Sequence, residues 1–139
     1  TNESDYDSFL KINRPKYDDS WQRWNKTLEM LADLDTRTVL RVTLIKDWND
    51  SEEMISGFKS IFEKSNAHFI ELKSYMHIGR STNRLEYENM VEMNDVRKFS
   101  EKIVEKSDRF EVMDESEVSR IVVLQNKKRF TERYLTAYA

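Results

Sequence analysis

Cysteine does not occur anywhere in the 139 residues. Its absence removes disulfides, thiolate metal sites, iron-sulfur ligation and a thiol nucleophile from what this chain supplies by itself. Glycine occurs twice and proline once, so structure breakers are scarce and long regular elements should dominate. No run approaches the ~18 consecutive apolar residues of a membrane span, and the opening TNESDYDSF lacks the charged-then-apolar pattern of a signal peptide. A soluble, cytoplasmic protein with no membrane partner is the expectation. Neither sign of charge dominates, because 23 basic and 26 acidic residues leave a net charge of -3. No global field announces nucleic acid, and only local basic patches remain to be considered.

What is present suits one globular domain: 38% of residues are hydrophobic, 35% charged and 12% aromatic. No internal repeat, low-complexity run or linker divides the chain. Three helix patterns alternate with strand patterns. In DDSWQRWNKTLEMLADL, Trp21, Trp24, Leu28 and Leu31 recur at helical spacing, with Asp18, Asp19 or Ser20 placed to cap the N-terminus. That spacing reads the tryptophans as core packing rather than as a stacking platform. DSEEMISGFKSIFEKS aligns Ile55, Phe58, Ile61 and Phe62 behind an acidic first turn. NDVRKFSEKIVEKS does the same with Val96, Phe99 and Ile103.

Strand patterns fill 36–48, 68–78 and 109–125, the last divided into two pieces around DESEVS. This order predicts an α/β fold of parallel strands joined by crossover helices. In 39–46 the apolar face is Leu40, Val42 and Leu44, opposite Val39, Arg41, Thr43 and Ile45. In 69–78 it is Ile70, Leu72, Met76 and Ile78, opposite Phe69, Glu71, Lys73, Tyr75 and His77. An open parallel sheet covered on both sides would give near-continuous apolar runs. One apolar and one polar face fits a barrel section better, since a lumen can hold a ligand there. Ionised groups in such a place cost several kcal/mol unless paired, so Glu71 and Lys73 call for partners or a substrate.

FLKINRPKYDDSWQRWNKTLEML, RTVLRVTLIKDWN, HFIELKSYMHIGRSTNRLEYENM and DESEVSRIVVL together resemble, in that order, the C-terminal half of the tRNA 4-demethylwyosine synthases. These are the radical S-adenosylmethionine (SAM) enzymes of wyosine biosynthesis, and the archaeal form is the nearer one. The resemblance implies that residues 1–139 form the C-terminal portion of a partial (β/α)6 TIM-like barrel plus the wyosine base formation region. In that fold KINRP follows the end of the fourth strand, and the strands with Arg41 and Lys73 are the fifth and sixth. It also implies a lyase-type reaction: N1-methylguanosine-37 in the anticodon loop of tRNA-Phe is condensed with pyruvate. The family does this with a 5'-deoxyadenosyl radical made from SAM at a 4Fe-4S cluster. The family's CxxxCxxC motif lies N-terminal to everything here, so this chain alone is expected to be inactive. It would need the missing N-terminal half of the barrel and an electron donor. The other reading is a cluster-less, non-catalytic tRNA-binding or regulatory module derived from the family. NMVEMNDVRKF departs from the family's usual NMPWHEEVREF.

The resemblance also suggests roles for individual residues. Pyruvate held as a Schiff base needs an unprotonated lysine, which a dry, partly cationic site favours. Lys73 is the first choice and Lys46 the rival, although strand parity puts Lys46 on the apolar side; for Lys73 a charge cluster with Glu71 and Arg41 is the structural alternative. Arg41 and Thr43, with Glu71, Tyr75 and His77, are the expected cofactor-side residues. Arg41 could clamp a carboxylate or simply pair with Glu71, and His77 sits at a strand end, where barrel active sites gather. Arg80, Ser81, Asn83, Arg84 and Tyr87 are the expected RNA contacts, the first four to phosphate and sugar and Tyr87 to a stacked base. NKKRFTERY, residues 126–134, is a second basic and aromatic run, read as a solvated face with RNA contact as the alternative. Asp114, Glu115 and Glu117 are acidic but lack His or Cys neighbours, and no metal is assigned to them.

Overall fold

The computed structural model describes residues 1–134. The chain forms α1 (Tyr6–Asn13), α2 (Ser20–Asp33), β1 (Val39–Leu44), α3 (Ile55–Ser65), β2 (Phe69–Ser74), α4 (Met93–Lys106), β3 (Phe110–Ser116) and β4 (Ile121–Asn126). The strands make one mixed sheet in the order β1-β2-β4-β3. β1 and β2 are parallel, from Val39 beside Phe69 to Leu44 beside Ser74. The all-parallel expectation fails beyond them, because β4 is antiparallel to both β2 and β3. Length dictates this: residues 117–120 join β3 to β4, and so short a link permits only a hairpin, whereas a parallel return needs a dozen or more residues.

The helical layer covers one face of the sheet. Leu40, Val42 and Leu44 of β1, Ile70 and Leu72 of β2, and Val122 and Leu124 of β4 are buried there against Ile55, Phe58 and Phe62 of α3, Val96, Phe99 and Ile103 of α4, and Leu28 of α2. Period two in the strands and near 3.6 in the helices produces these stripes. Burying a side chain of this size stabilises by about 1.5–3 kcal/mol. Phe58 is central, with its ring 5.9 Å from Phe62 and 5.8 Å from Phe99.

Three local expectations need correction. The second strand ends at Ser74 rather than at residue 78, because the buried Ser74 hydroxyl accepts from Val91 N–H at 2.9 Å and the chain turns away there. α2 begins without a side-chain cap. Trp24 and Leu31 are partly buried against the main core, but Trp21 instead packs edge-on to Tyr6 and Phe9, at 5.8 and 5.2 Å. It thereby docks α1, which the sequence pattern did not reveal. α1 forms because Asp5 and Ser8 make a capping box, with Ser8 N–H donating to Asp5 Oδ1 at 2.8 Å and Asp5 N–H to Ser8 Oγ at 3.1 Å.

Candidate functional site

β1 and β2 end side by side, so the loops that follow them share one end of the sheet. Those loops are tied together. Lys46 N–H donates to Asn89 O at 2.9 Å, and Asn89 Nδ2 donates to Lys46 O at 3.1 Å. Asn49, fully buried, does most of the organising: its Oδ1 accepts from Ile45 N–H at 2.6 Å, while Nδ2 donates to Thr43 O and Asn2 O, each at 2.9 Å. Asn2 Oδ1 in turn accepts from Thr43 N–H at 2.8 Å, so the first residues of the chain lie along the outer edge of β1. Beneath the loops Ile12, Ile45, Tyr75 and Leu85 form a second small core, with Trp48 and Met90 packed on it. Burial pushes the nearby Asp50 carboxyl up, with the Asp47 charge adding and backbone N–H bonds from residues 47 and 50 opposing.

The face of the sheet away from the helical layer carries Arg41, Thr43, Glu71 and Lys73, as strand alternation predicts. Register puts Arg41 beside Glu71 and Thr43 beside Lys73. Arg41 is exposed, and Thr43, Glu71 and Lys73 are half-buried. The Arg41 guanidinium pairs with Glu71: Nη2 donates to Oε2 at 3.0 Å, and Nε stands 2.9 Å from Oε1. Lys73 has no ion-pair or side-chain hydrogen-bond partner among the described residues. Lys46 lies beyond β1 in an exposed turn, off the strand face. With Tyr87, Glu88, Met90, Glu92 and Asp95 it lines an open cleft of about 310 Å³.

Tyr75 and His77 lie past the end of β2, so parity does not place them on the polar face. Tyr75 is buried in the second core, and its hydroxyl stands 3.1 Å from both His77 Nδ1 and Ser81 Oγ. The His77 ring is edge-on to Tyr75 and to Tyr87, each at 6.2 Å between centroids. Arg80, Asn83 and Tyr87 are exposed. Arg84, also exposed, reaches back to α1: Nη1 donates to Ile12 O and Nη2 to Lys11 O, both at 3.2 Å, and its guanidinium lies 5.9 Å from the Trp48 ring centroid. A cation there satisfies the carbonyls that end α1 and its dipole. Among the expected RNA contacts, then, Arg80, Asn83, Arg84 and Tyr87 are exposed and Ser81 is half-buried, and Arg84 also anchors the loop.

The other charged features lie elsewhere. Asn126 pairs with Phe110 and donates its N–H to His68 O, so the 126–134 run starts at the opposite end of the sheet from these loops. Arg129 is fastened there to the carbonyls of Leu31, Leu34 and Asn66. Glu115 and Glu117 both pair with Arg97 of α4, and Asp114 pairs with Arg133. Among the described residues no three His, Cys, Asp or Glu side chains gather to hold a metal ion. An iron-sulfur cluster does not fit the donors of this chain, which has no cysteine. Among the same residues no helix is long and apolar enough to cross a membrane. Asn49 and Asn89 are the organising residues that sequence reasoning missed. A lone Asn in a turn carries no periodic signal, although KDWN directly after a strand marks a place where side-chain-to-backbone bonding is common.

Residues 64–126 match the family model described as wyosine base formation. The chain is 38% identical over 125 residues to the S-adenosyl-L-methionine-dependent tRNA 4-demethylwyosine synthase of Methanocaldococcus jannaschii, covering 90% of this chain and 38% of that protein. It is 32% identical over 123 residues to the human synthase TYW1, covering 88% of this chain and 16% of that protein. Among solved structures it resembles TYW1 with a lysine-pyruvate adduct bound, at a TM-score of 0.80 and 35% identity over 93% of this chain and 40% of the other. It also resembles archaeal TYW1, at a TM-score of 0.72 and 30% identity over 93% and 38% of the two chains. The chain thus spans about two fifths or less of the proteins it matches.

Proposed function

We propose that this chain, a relative of the tRNA 4-demethylwyosine synthases, is the C-terminal part of such an enzyme. In this reading β1 and β2 are the last parallel strands of a partial barrel. The reaction is the condensation of N1-methylguanosine in a tRNA anticodon loop with pyruvate. The observation that carries the reading is the sheet's second face: Arg41, Thr43, Glu71 and Lys73 stand in register on two parallel strands, outside the helical layer, and both strands end under one set of loops. Such a face suits a lumen, with chemistry gathered where the strands end. The path of residues 1 and 2 along the outer edge of β1 fits a preceding strand arriving there.

The relatives' names indicate dependence on SAM, and when bound this group would supply the radical chemistry at a cluster held by cysteines outside this chain. Thr43 is this chain's contribution to holding it, with Arg41 and Glu71 as a fixed charge pair beside it, while Tyr75 and His77 turn toward Ser81 and Tyr87. By itself the chain generates no radical. Lys73 is assigned the pyruvate amine: it is half-buried and free of acidic partners, so its nitrogen is available to a ketone. Lys46 is the weaker choice because it lies in an exposed turn. Arg80, Ser81, Asn83 and Tyr87 form the RNA-facing surface, held in place by Arg84.

Borohydride trapping with labelled pyruvate in the complete enzyme carrying this segment tests the assignment. Label should map to the peptide containing Lys73 and disappear in Lys73→Arg. Label that persists in Lys73→Arg protein assigns the amine to Lys46 or to an upstream lysine and overturns this role.

A further inference from the structure

The contacts around Tyr75 admit one consistent placement of protons. Ser81 Oγ lies 2.7 Å from Ile78 O. A carbonyl oxygen only accepts, so the single hydroxyl proton of Ser81 points at Ile78. Tyr75 Oη lies 3.1 Å from Ser81 Oγ, and with the serine proton already used, that contact requires the tyrosine proton. Tyr75 Oη is also 3.1 Å from His77 Nδ1. The tyrosine proton being spent, the hydrogen in this third contact comes from the imidazole. Any other arrangement leaves two lone pairs facing each other at hydrogen-bonding distance, in contacts that are part-buried at Tyr75 and exposed at Ile78.

We propose that Tyr75 and Ser81 lock His77 in the tautomer protonated on Nδ1, leaving Nε2 as an unprotonated acceptor for an N–H of a nucleobase. Tyr75 and Ser81 are positioning residues in this scheme, and His77 is the group that meets the ligand. The buried Tyr75 ring fixes the relay in the second core. Nε2 has no partner among the described residues, and the neighbouring Tyr87, 64% exposed and edge-on to His77, offers a free ring face for a stacked heterocycle. A bare imidazole nitrogen rejects an acceptor atom and selects a donor, so a guanine's exocyclic amine suits it and a dialkylated amine does not. The choice of ligand rests on the proposed function, whereas the tautomer does not.

Both parts can be read by two-bond 1H–15N correlation spectra of the chain labelled at histidine, in mildly alkaline solution where imidazole is neutral. Parent protein should show His77 with a protonated Nδ1 and a bare Nε2. Ser81→Ala frees the tyrosine proton to point at Nδ1, so the population should move toward the Nε2-protonated form, while Ser81→Thr should restore the parent pattern. A parent His77 protonated on Nε2, or a Ser81→Ala spectrum unchanged from the parent, overturns the relay. 1-Methylguanosine monophosphate should then shift the Nε2 resonance toward lower frequency, and its N2,N2-dimethyl derivative, which has no base N–H left, should not. An equal response to both nucleotides, or none to either, overturns the role as N–H acceptor while leaving the tautomer result standing. The pyruvate-trapping outcome is independent of all of these, so failure here and failure of the proposed function are separable.

Discussion

Gly57→Ala should destabilise the chain, although helix propensity alone argues the opposite. Gly57 lies inside α3, where glycine to alanine ordinarily gains about 0.8–1 kcal/mol. A Cβ there would stand 2.3 Å from the Ser4 carbonyl oxygen and 2.8 Å from Ser4 Cβ. The obstacle is backbone, so the segment before α1 must lift. That segment is held by the Asn2 bonds to Thr43 and Asn49 and by the buried Glu3 carboxylate, which accepts from Thr1 Oγ1 at 2.7 Å, Asn2 N–H at 2.6 Å and Asn13 Nδ2 at 3.0 Å. Overpacking costs about 1–3 kcal/mol, and each hydrogen bond lost about 1 kcal/mol more. With one of these bonds lost, subtracting the propensity gain leaves a net loss of about 1–3 kcal/mol. Without residues 1–4 the clash is gone, and the same substitution should stabilise by about 1 kcal/mol. Urea unfolding of the four proteins, followed by tryptophan fluorescence, measures the coupling as a double-mutant cycle. The same sign in both backgrounds would refute the claim that Ser4 is what demands glycine.

Asn49→Leu leaves Ile45 N–H, Thr43 O and Asn2 O without their partner, and a loss of about 3 kcal/mol is expected, at the low end of ~1–3 kcal/mol for each orphaned group; a loss under about 1 kcal/mol in urea unfolding would remove Asn49 from its organising role. Burial, reinforced by Arg129 and Arg37, lowers the His68 imidazole below its usual 6.5, and Nδ1 is already an acceptor for Thr38 N–H at 3.1 Å. The folded state therefore binds fewer protons than the unfolded chain once the pH falls below about 6.5, so stability declines as pH drops from there toward the lowered folded value. Stability measured across that range should lose this slope in His68→Gln, and an unchanged slope would place the titration elsewhere.

Much of this was legible in the sequence because it is periodic. Leu40, Val42, Leu44, Ile70 and Leu72, and the stripes Ile55, Phe58, Phe62 and Val96, Phe99, Ile103, announced one buried face per element, and those faces make the core. α1 escaped because eight residues with Phe9 and Ile12 as their buried apolar pair are too short to show a period. The end of β2 escaped because it is set by Ser74 bonding to Val91, seventeen residues away. Within the site, alternation placed Arg41, Thr43, Glu71 and Lys73 together, but not which of them were already paired. Arg84 shows the limit most clearly: as a basic loop residue it reads as a phosphate contact, and nothing in the pattern announces that it also bonds carbonyls 72 and 73 residues earlier in the chain.

The charges on the polar face also constrain what can close over it. Arg41 and Glu71 cancel, and with the arginine exposed their pair contributes on the order of 1 kcal/mol as it stands. Lys73 leaves a net positive charge beside them. Covering this face with the rest of a barrel withdraws all three groups from water, at several kcal/mol per ion unless each is matched. An upstream acid could supply the match, but then the Lys73 amine would be tied up as an ion pair and lost to a ketone. A small keto acid meets both demands at once. In the proposed assignment its carbonyl would condense with the Lys73 amine, releasing water, and its carboxylate would bring the missing negative charge to the face that carries Arg41, whose Nη1 is not used by Glu71. An unpaired lysine beside a paired arginine suits the proposed pyruvate site, and an acid introduced on β4 at Ile121, level with Lys73, should abolish trapping while leaving the fold intact.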